Sequence, residues 1–399
     1  MPISHLTHGG QLRTIMLQTG FSEIEILDYS SNINPFGPPP WLEKAISEAS
    51  RHIDRYPDPD SFEARQAAAK RYGSEAERFL FADGADSILF ALPKALGASS
   101  CIYPTPTYSG YRRAALHAAI PEICVSLDPE KDFALSDIRF LKTFEVALEN
   151  AVQISKHAKN NRRNIQGSMV FLGSPNNPAG GMLQPDTVLS LAEAFPMHWF
   201  IIDESFLELV GAGHTLIGNK MKNIVVVQSL TKSYAVPGAR IGFMHAEPDV
   251  CAQVRKELSS WPVSCFAEQI AIHALADESF LKKSVAMLQK ETVWFCKALE
   301  EAYDNFLEPF AGAKLSFSKM KVFCSGANFL LLDLVTSYQA DFISGFLAAK
   351  GIAVRRFDSK EGLDKRYIRI AIKKHEQNER FLKAFREALQ KFSERNVQL

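Results

Sequence analysis

Three short apolar runs in the middle of the chain constrain its fold more than any other feature. Met169–Leu172, Trp199–Ile202 and Ile224–Val227 are each four residues long, rich in β-branched or aromatic side chains, and unbroken rather than alternating. A strand with one face in water alternates, so an unbroken run implies cover on both faces, as in a parallel sheet flanked by helices. Each run stops in polar residues: Ser174-Pro175-Asn176-Asn177-Pro178, Asp203-Glu204, and Gln228-Ser229-Leu230-Thr231-Lys232. Open α/β sheets place their ligands just past the carboxyl ends of such strands. The expected class is α/β, with a mostly parallel sheet flanked by helices in a large domain and a small α+β C-terminal domain.

At 399 residues the chain is too long for one core. Asn34-Pro35-Phe36-Gly37-Pro38-Pro39-Pro40 can be neither helix nor inner strand and reads as a rigid linker. Trp261-Pro262 breaks the chain again before a long helical stretch. The expected division is 1–40 as an N-terminal segment and linker joining the small domain, 41–265 as the large domain, and 266–399 as the small one. In the last part, Phe329–Leu334 and Tyr367–Ile372 look like strands. Phe381, Leu382, Phe385, Leu389 and Phe392 line one face of a closing helix. Residues 141–166 form a polar, helix-prone connection with no assigned role.

Composition removes several function classes. Lysine plus arginine (45) equals aspartate plus glutamate (45), so no net field draws the chain to nucleic acid or a membrane. The basic stretch Lys156 to Arg163 reads as a solvated helix end. The six cysteines contain no Cys-x-x-Cys pair, which fits neither a zinc site nor a disulfide framework, and reduced, mostly buried thiols are expected. No metal is expected. Residues 1–20 lack the apolar core of a signal peptide, and no apolar run approaches the roughly 20 residues needed to cross a bilayer. A soluble, cytoplasmic protein is the expectation.

Lys232 follows a strand directly, with hydroxyls at Ser229 and Thr231 and a guanidinium at Arg240. Neutral donors plus a bidentate cation are what a phosphate group needs, and a lysine held near a carbonyl can bond to it covalently. Asp203 stands at the mouth of an apolar strand, where the plain reading is a helix cap. Phe79–Ala82 gives way to Asp83-Gly84-Ala85-Asp86 and a helical run, which forms a ready anion site. Tyr108 in Pro104-Thr105-Pro106-Thr107-Tyr108 could be core. Tyr56 precedes a helix opened by Asp60 with Glu63 three residues on, a capping-box spacing. Arg369 alternates with apolar residues in Tyr367-Ile368-Arg369-Ile370, so its side chain points away from the packed face, as a carboxylate-binding arginine would.

Ser229-x-x-Lys232 followed by Pro237-Gly238-Ala239-Arg240 resembles the cofactor-lysine motif of the class I/II aminotransferases, with the aspartate aminotransferase-like fold (fold type I). Asn177 matches that family's Asn-Pro-x-Gly loop, and the motifs occur in the family's order from Asn34 to Arg369. The resemblance implies pyridoxal 5′-phosphate as cofactor. It implies Lys232 as its covalent anchor and Ser229, Thr231, Arg240 and the loop Gly84, Ala85, Asp86 at its phosphate. Asp203 would pair with the protonated pyridine nitrogen, which makes the ring an electron sink. Asn177 would donate to the 3′ oxygen, and Tyr108 would stack on the ring. Arg369 would bind the substrate carboxylate. Tyr56 would reach the phosphate from the partner subunit, which implies an obligate homodimer with a shared active site.

His8-Gly9-Gly10, Tyr29 to Pro35, Ser229 to Gly242 and Gly362 to Ile372 further resemble the threonine-phosphate decarboxylase family of cobalamin synthesis, close cousins of the histidinol-phosphate aminotransferases. Phe206 stands where aminotransferases usually carry a tyrosine. The resemblance implies decarboxylation of phosphothreonine (or phosphoserine) to aminopropanol (or ethanolamine) phosphate, with Arg355, His8 and Asn32 around the substrate phosphate. Gln11, where the decarboxylases generally have asparagine, and the long 141–166 connection depart from that pattern. An aminotransferase is the alternative. A non-catalytic regulator is a third reading, disfavoured because such proteins usually carry a helix-turn-helix module ahead of the domain and the roughly thirty residues before Asn34 are too few, against a lower bound of about 50 for a domain.

Overall fold

The buried runs become neighbouring strands of one sheet. In the computed structural model, which describes residues 9–161, 167–211, 214–308, 319–357 and 362–396, the strands are β1 (Phe79–Ala82), β2 (Cys101–Thr105), β3 (Glu122–Ser126), β4 (Met169–Gly173), β5 (Trp199–Asp203), β6 (Ile224–Ser229) and β7 (Gly242–His245). Their order in this seven-stranded sheet is β1-β7-β6-β5-β4-β2-β3. Only β7 runs against the rest.

Helices in the same part of the chain are α1 (Leu42–Ser50), α2 (Phe62–Tyr72), α3 (Ala85–Ala95), α4 (Ser109–His117), α5 (Ile138–Asn161), α6 (Pro185–Ala194), α7 (Leu230–Ser233), α8 (Pro248–Arg255) and α9 (Cys265–Ala276). Both sheet faces are covered. On one, Met244 packs with Ile88, Leu92, Phe171 and Val225. On the other, Phe243 packs with Phe79, Phe81, Ala68 and Ile270. Adjacent residues of β7 thus serve opposite faces, as the two-residue strand period requires. Each fully buried aliphatic or aromatic side chain contributes about 1.5–3 kcal/mol, which is why the runs carry no alternation.

The chain divides into two compact units. The larger comprises 36–177 and 181–285, and the smaller comprises residues up to 35, 178–180 and 286–399. The first division falls inside the expected linker, between Pro35 and Phe36. The second falls at 285/286 rather than at 265/266. The reason is packing: α9 buries Ala267, Ile270, Ala271 and Ala274 in the cluster that holds Ala64 and Ala68 of α2. The Trp261-Pro262 break therefore lies in the connection between α8 and α9 without ending a unit.

In the smaller unit, β8 (Lys321–Cys324), β9 (Phe329–Asp333), β10 (Arg355–Arg356) and β11 (Tyr367–Ala371) form an antiparallel sheet of order β10-β11-β9-β8. The closing helix α10 (His375–Asn396) buries Phe381, Leu382, Phe385, Leu389 and Phe392. Arg369 is corrected in one respect. All five residues of β11 are buried, so its side chain, 7% exposed, lies within the protein and donates to the Ser30 carbonyl at 2.8 Å.

Two other local expectations are also corrected. Cys296 and Cys324, 28 positions apart in sequence, are joined as a disulfide with 6.4 Å between Cα atoms. Only packing of the helix Glu278–Leu307 on β8 brings them together, and no spacing motif announces that. The helix expected to open at Asp60 instead has Ser61 at its N-cap. Asp58 reaches forward to accept the Asp60 amide at 3.1 Å, the one that Glu63 would take in a box opened at Asp60, and the Phe62 amide at 2.7 Å. The connection at 141–166 is largely α5, which buries Phe140, Phe144, Leu148 and Ala151. The side chains of Lys156 to Arg163 lie outside the described residues. Among the described residues no helix is long and apolar enough to cross a membrane.

Gly242 marks where α3 meets the sheet. A Cβ there would lie 2.6 Å from the Ala85 amide nitrogen and 2.8 Å from the Gln228 carbonyl oxygen, both backbone atoms that no rotamer change can move. Gly242→Ala should cost about 1–3 kcal/mol of stability, read from urea-unfolding midpoints. An unchanged midpoint would show that helix and sheet can separate here freely.

Candidate active site

The carboxyl ends of β1, β4, β5 and β6 and the amino end of the antiparallel β7 lie within two residues of one another along one edge. Gly173 pairs with Asp203, Asp203 with Val227, and Ser229 with Gly242, which also pairs with Ala82. At the end of β1 the chain turns through Gly84, whose φ of 108° favours glycine, and enters α3. The first amides of a helix have no partner within it and attract anions. Arg240, itself at φ 52°, brings its guanidinium onto this loop. A Cβ on Gly84 would stand 2.8 Å from Arg240 Nη2. Next to Gly242, the buried Ser229 and Thr231 hydroxyls lie 2.7 Å apart. Helix amides, two hydroxyls and a guanidinium, with glycines clearing the approach, fit a phosphate monoester. Gly84, Ala85, Ser229, Thr231 and Arg240 are thus brought together as the sequence implied.

Asp203, 9% exposed, closes β5. Its Oδ1 accepts the Ser205 amide at 3.0 Å, and its Oδ2 accepts the Tyr111 hydroxyl at 2.9 Å. Tyr108 starts α4 half-buried and donates to the two Asp86 oxygens at 2.8 and 3.1 Å. Asp86 therefore contributes its side chain, where its backbone alone was expected. Of the two neighbouring asparagines, Asn176 is structural. It accepts from Thr107 at 2.6 Å, donates to the Pro106 carbonyl at 2.9 Å, and its amide meets the Gly181 carbonyl. Asn177 is half-buried beside it. Lys232 places Nζ 4.2 Å from the centre of the Phe206 ring, a cation–π contact.

Sequence reading passed over a buried polar network that pins the Lys232 segment. Gln228 donates to Glu204 at 3.0 Å and accepts from Tyr72 at 3.0 Å. Tyr72 also donates to Glu208, which pairs with Arg71 at 2.8 Å, and Arg71 donates to Tyr234. The residues just before and just after α7 are thereby fixed. Glu204 also accepts from Thr215 and the Leu216 amide, yet burial, aided by the charge of Asp203, pushes its carboxyl up to about 7. These partners come from separated elements and share no sequence motif. Tyr111 was equally invisible, three residues past a tyrosine that already had a role.

Elsewhere, Tyr56 is 79% exposed and stacks on Trp261 with ring centres 4.3 Å apart. In the smaller unit Arg355 and Arg369, each 7% exposed, are direct cross-strand partners in β10 and β11. Both therefore project from the same sheet face. Asn32 is 5% exposed, and its amide nitrogen and oxygen find no hydrogen-bond partner among the described residues. Asn328, which the sequence reading did not single out, is in the same condition. His8 lies outside the described residues.

The family model for aminotransferase class I and II matches residues 24–385. The adenosylcobalamin biosynthesis bifunctional protein CobDQ of Leptospira interrogans is 32% identical over 379 residues, which are 95% of this chain. The chain spans only 40% of that protein's length. Threonine-phosphate decarboxylase of Salmonella typhimurium is 28% identical and covers 98% of both chains. Among solved structures, histidinol-phosphate aminotransferase from Sinorhizobium meliloti, in complex with pyridoxal 5′-phosphate, superposes with a TM-score of 0.75. It has 20% identity and covers 98% of this chain and 96% of its own.

Glu204 gives the site a pH signature. Its folded-state pKa of about 7 lies above the ordinary 4.5, so the native state holds a proton that the unfolded chain releases. Its contribution to stability is complete below the unfolded value and is lost as pH rises through the folded one. Glu204→Gln abolishes this titration. Relative to wild type, the variant should gain roughly 2–3 kcal/mol between pH 4.5 and 8, measured by denaturant unfolding across that range. A difference that stays constant with pH would rule this out.

Proposed function

This chain belongs to the aminotransferase class I and II family and uses pyridoxal 5′-phosphate, and from that premise we propose that it decarboxylates L-threonine O-3-phosphate, or the serine analogue, for assembly of the cobamide nucleotide loop. Similarity to the Leptospira and Salmonella proteins supports the pathway. The observation that carries the substrate is the pairing of Arg355 with Arg369. Like charges directly opposite on neighbouring strands repel, and two buried guanidiniums on one face suit a substrate with two anionic groups.

Each residue then has a task. We assign the cofactor phosphate to the amides of Gly84, Ala85 and Asp86, to the hydroxyls of Ser229 and Thr231, and to Arg240. Asp203 faces the ring nitrogen, Asn177 the 3′ oxygen and Tyr108 the ring face. Lys232 is the covalent anchor. When bound, the cofactor draws electrons from whichever substrate Cα bond is held perpendicular to its ring. Selection of that bond is a matter of orientation, which falls to the residues that grip the substrate. Arg369 takes the carboxylate and Arg355 the phosphate, with Asn32 a further candidate for the phosphate. Carbon dioxide leaves, and Lys232 Nζ delivers a proton to Cα in its place. Phe206 offers Lys232 a ring face and no hydroxyl, which removes a donor from the 3′ oxygen. The exposed Tyr56, with Ile53, Phe62 and Trp261 also exposed in the larger unit, supports a homodimer in which Tyr56 serves the partner's phosphate site.

A histidinol-phosphate or related aminotransferase is the second reading, favoured by the fold match to that enzyme. Purified protein given phosphothreonine alone should release carbon dioxide and the phosphorylated amino alcohol. Turnover that begins only when an oxo acid is added would favour the aminotransferase. Lys232→Ala should abolish turnover, and retained activity would refute its role. Arg355→Gln removes a charge-assisted contact worth about 1.5–3 kcal/mol, so KM for the phosphorylated substrate should rise roughly 10- to 100-fold while cofactor absorbance is unchanged. Equal loss of both would show that Arg355 is misassigned.

A further inference from the structure

Arg355 and Arg356 are adjacent in β10 and equally buried, yet they meet different surroundings. Arg356 faces the helix Ser337–Ala349, where its guanidinium donates to Asp341 at 2.6 Å and to Ser344 at 3.1 Å, and it also donates to the Lys365 carbonyl at 2.8 Å. Those bonds offset its charge and occupy both terminal nitrogens. Arg355 projects from the other face of the sheet, across from Arg369, and its Cζ lies over the Phe357 ring, 5.2 Å from the centre. Phe357, itself buried, stands two residues on, the spacing that returns a strand to the same face. Arg369 likewise lies over the Phe329 ring at 5.6 Å, and Phe329 pairs with Ala371, two residues past Arg369 in β11. Two guanidiniums and two phenyl rings thus share one face of the small sheet.

We propose that Phe357 is a positioning residue that holds the Arg355 guanidinium in place for the substrate phosphate, and so helps set the preference for a phosphorylated substrate. This rests on the assignment of Arg355 to that phosphate. A buried cation needs a source of negative potential close by. A carboxylate supplies one, but it takes up N–H donors and repels an incoming phosphate. The face of an aromatic ring attracts a cation within about 6 Å and does neither. The N–H groups of a guanidinium lie in its plane as a fixed fork, which suits paired phosphate oxygens. Arg369 adds a reason for the ring. Like charges directly opposite across two strands repel, and the attraction of Arg355 to Phe357 opposes that displacement.

The test uses holoenzyme in which the phenylalanine at position 357 is replaced, by amber suppression, with its mono-, di- and trifluoro analogues. Fluorine withdraws charge from the ring face in steps and changes its bulk little, so packing is kept while the attraction fades. Two probes are bound in turn: ethanolamine phosphate, which has the phosphate without a carboxylate, and threonine, which has the carboxylate without a phosphate. Each Kd is read from the cofactor absorbance. For ethanolamine phosphate it should climb with every fluorine and reach roughly 5- to 30-fold above wild type for the trifluoro ring. The Kd for threonine and the urea-unfolding midpoint should stay at their wild-type values. A flat series, with Arg355→Gln still weakening ethanolamine phosphate alone, overturns the inference and leaves the Arg355 assignment standing. Equal weakening of both probes along the series overturns it too, since a general loosening of the site would then suffice. If Arg355→Gln leaves ethanolamine phosphate binding unchanged, the phosphate assignment itself fails and the role of Phe357 falls with it.

Discussion

Pairing Gly173 with Asp203, Asp203 with Val227 and Ser229 with Gly242 brings the ends of four strands to within two residues of one another at one edge of the sheet. Hydrogen-bond register in a sheet is quantised, because a slip of one residue turns every side chain to the opposite face. With β4 and β6 buried on both faces, such a slip would also misplace their polar ends. The strand ends are therefore held to one another by the same contacts that hold the core. A loop-borne site would lack that precision. Here the acid on β5, the hydroxyl ending β6, the glycine opening β7 and the amides of α3 are fixed by backbone pairing before any side chain adjusts.

Side chains then refine what register begins. Burying a carboxylate costs several kcal/mol unless the protein supplies the donors that water did. Asp203 gets them from Tyr111 and Ser205, and Glu204 gets them from Thr215, Leu216 and Gln228. The two acids face different partners. Glu204 is driven toward the neutral form by its surroundings, and its hydrogen bonds tie β6 to the loop after β5. Through Tyr72, Glu208, Arg71 and Tyr234 the same network grips the chain on both sides of Lys232. Such a network is costly if any member is missing and rigid when complete. Rigidity around Lys232 is what orientation-controlled chemistry requires.

Much of this was legible in the chain. Period and composition identified the buried strands, because hydrophobic cover on two faces leaves an unbroken pattern that nothing else of that length produces. The polar strand ends were legible for a related reason: an apolar run that stops in polar residues or glycine is a local pattern, and Gly84, Asp203, Ser229 and Lys232 stand in such places. Domain limits were half legible. The proline-rich linker breaks structure by its covalent geometry, whereas the second limit depends on which surface α9 covers. The Asp60–Glu63 spacing fitted a capping box, but Asp58 lay within reach of the Asp60 amide and took it.

Local covalent preference and the pattern of apolar residues act over a few neighbours, so the sequence alone determined the strands, the linker and the polar groups at each strand end. Tertiary structure alone decided that Tyr111 meets Asp203 across 92 residues of chain, that Arg355 faces Arg369, and that Cys296 meets Cys324. These contacts join segments whose spacing carries no repeat. They exist only after packing has set the distances, since a hydrogen bond or an ion pair acts over a few ångströms and leaves no mark on a chain that has not yet folded.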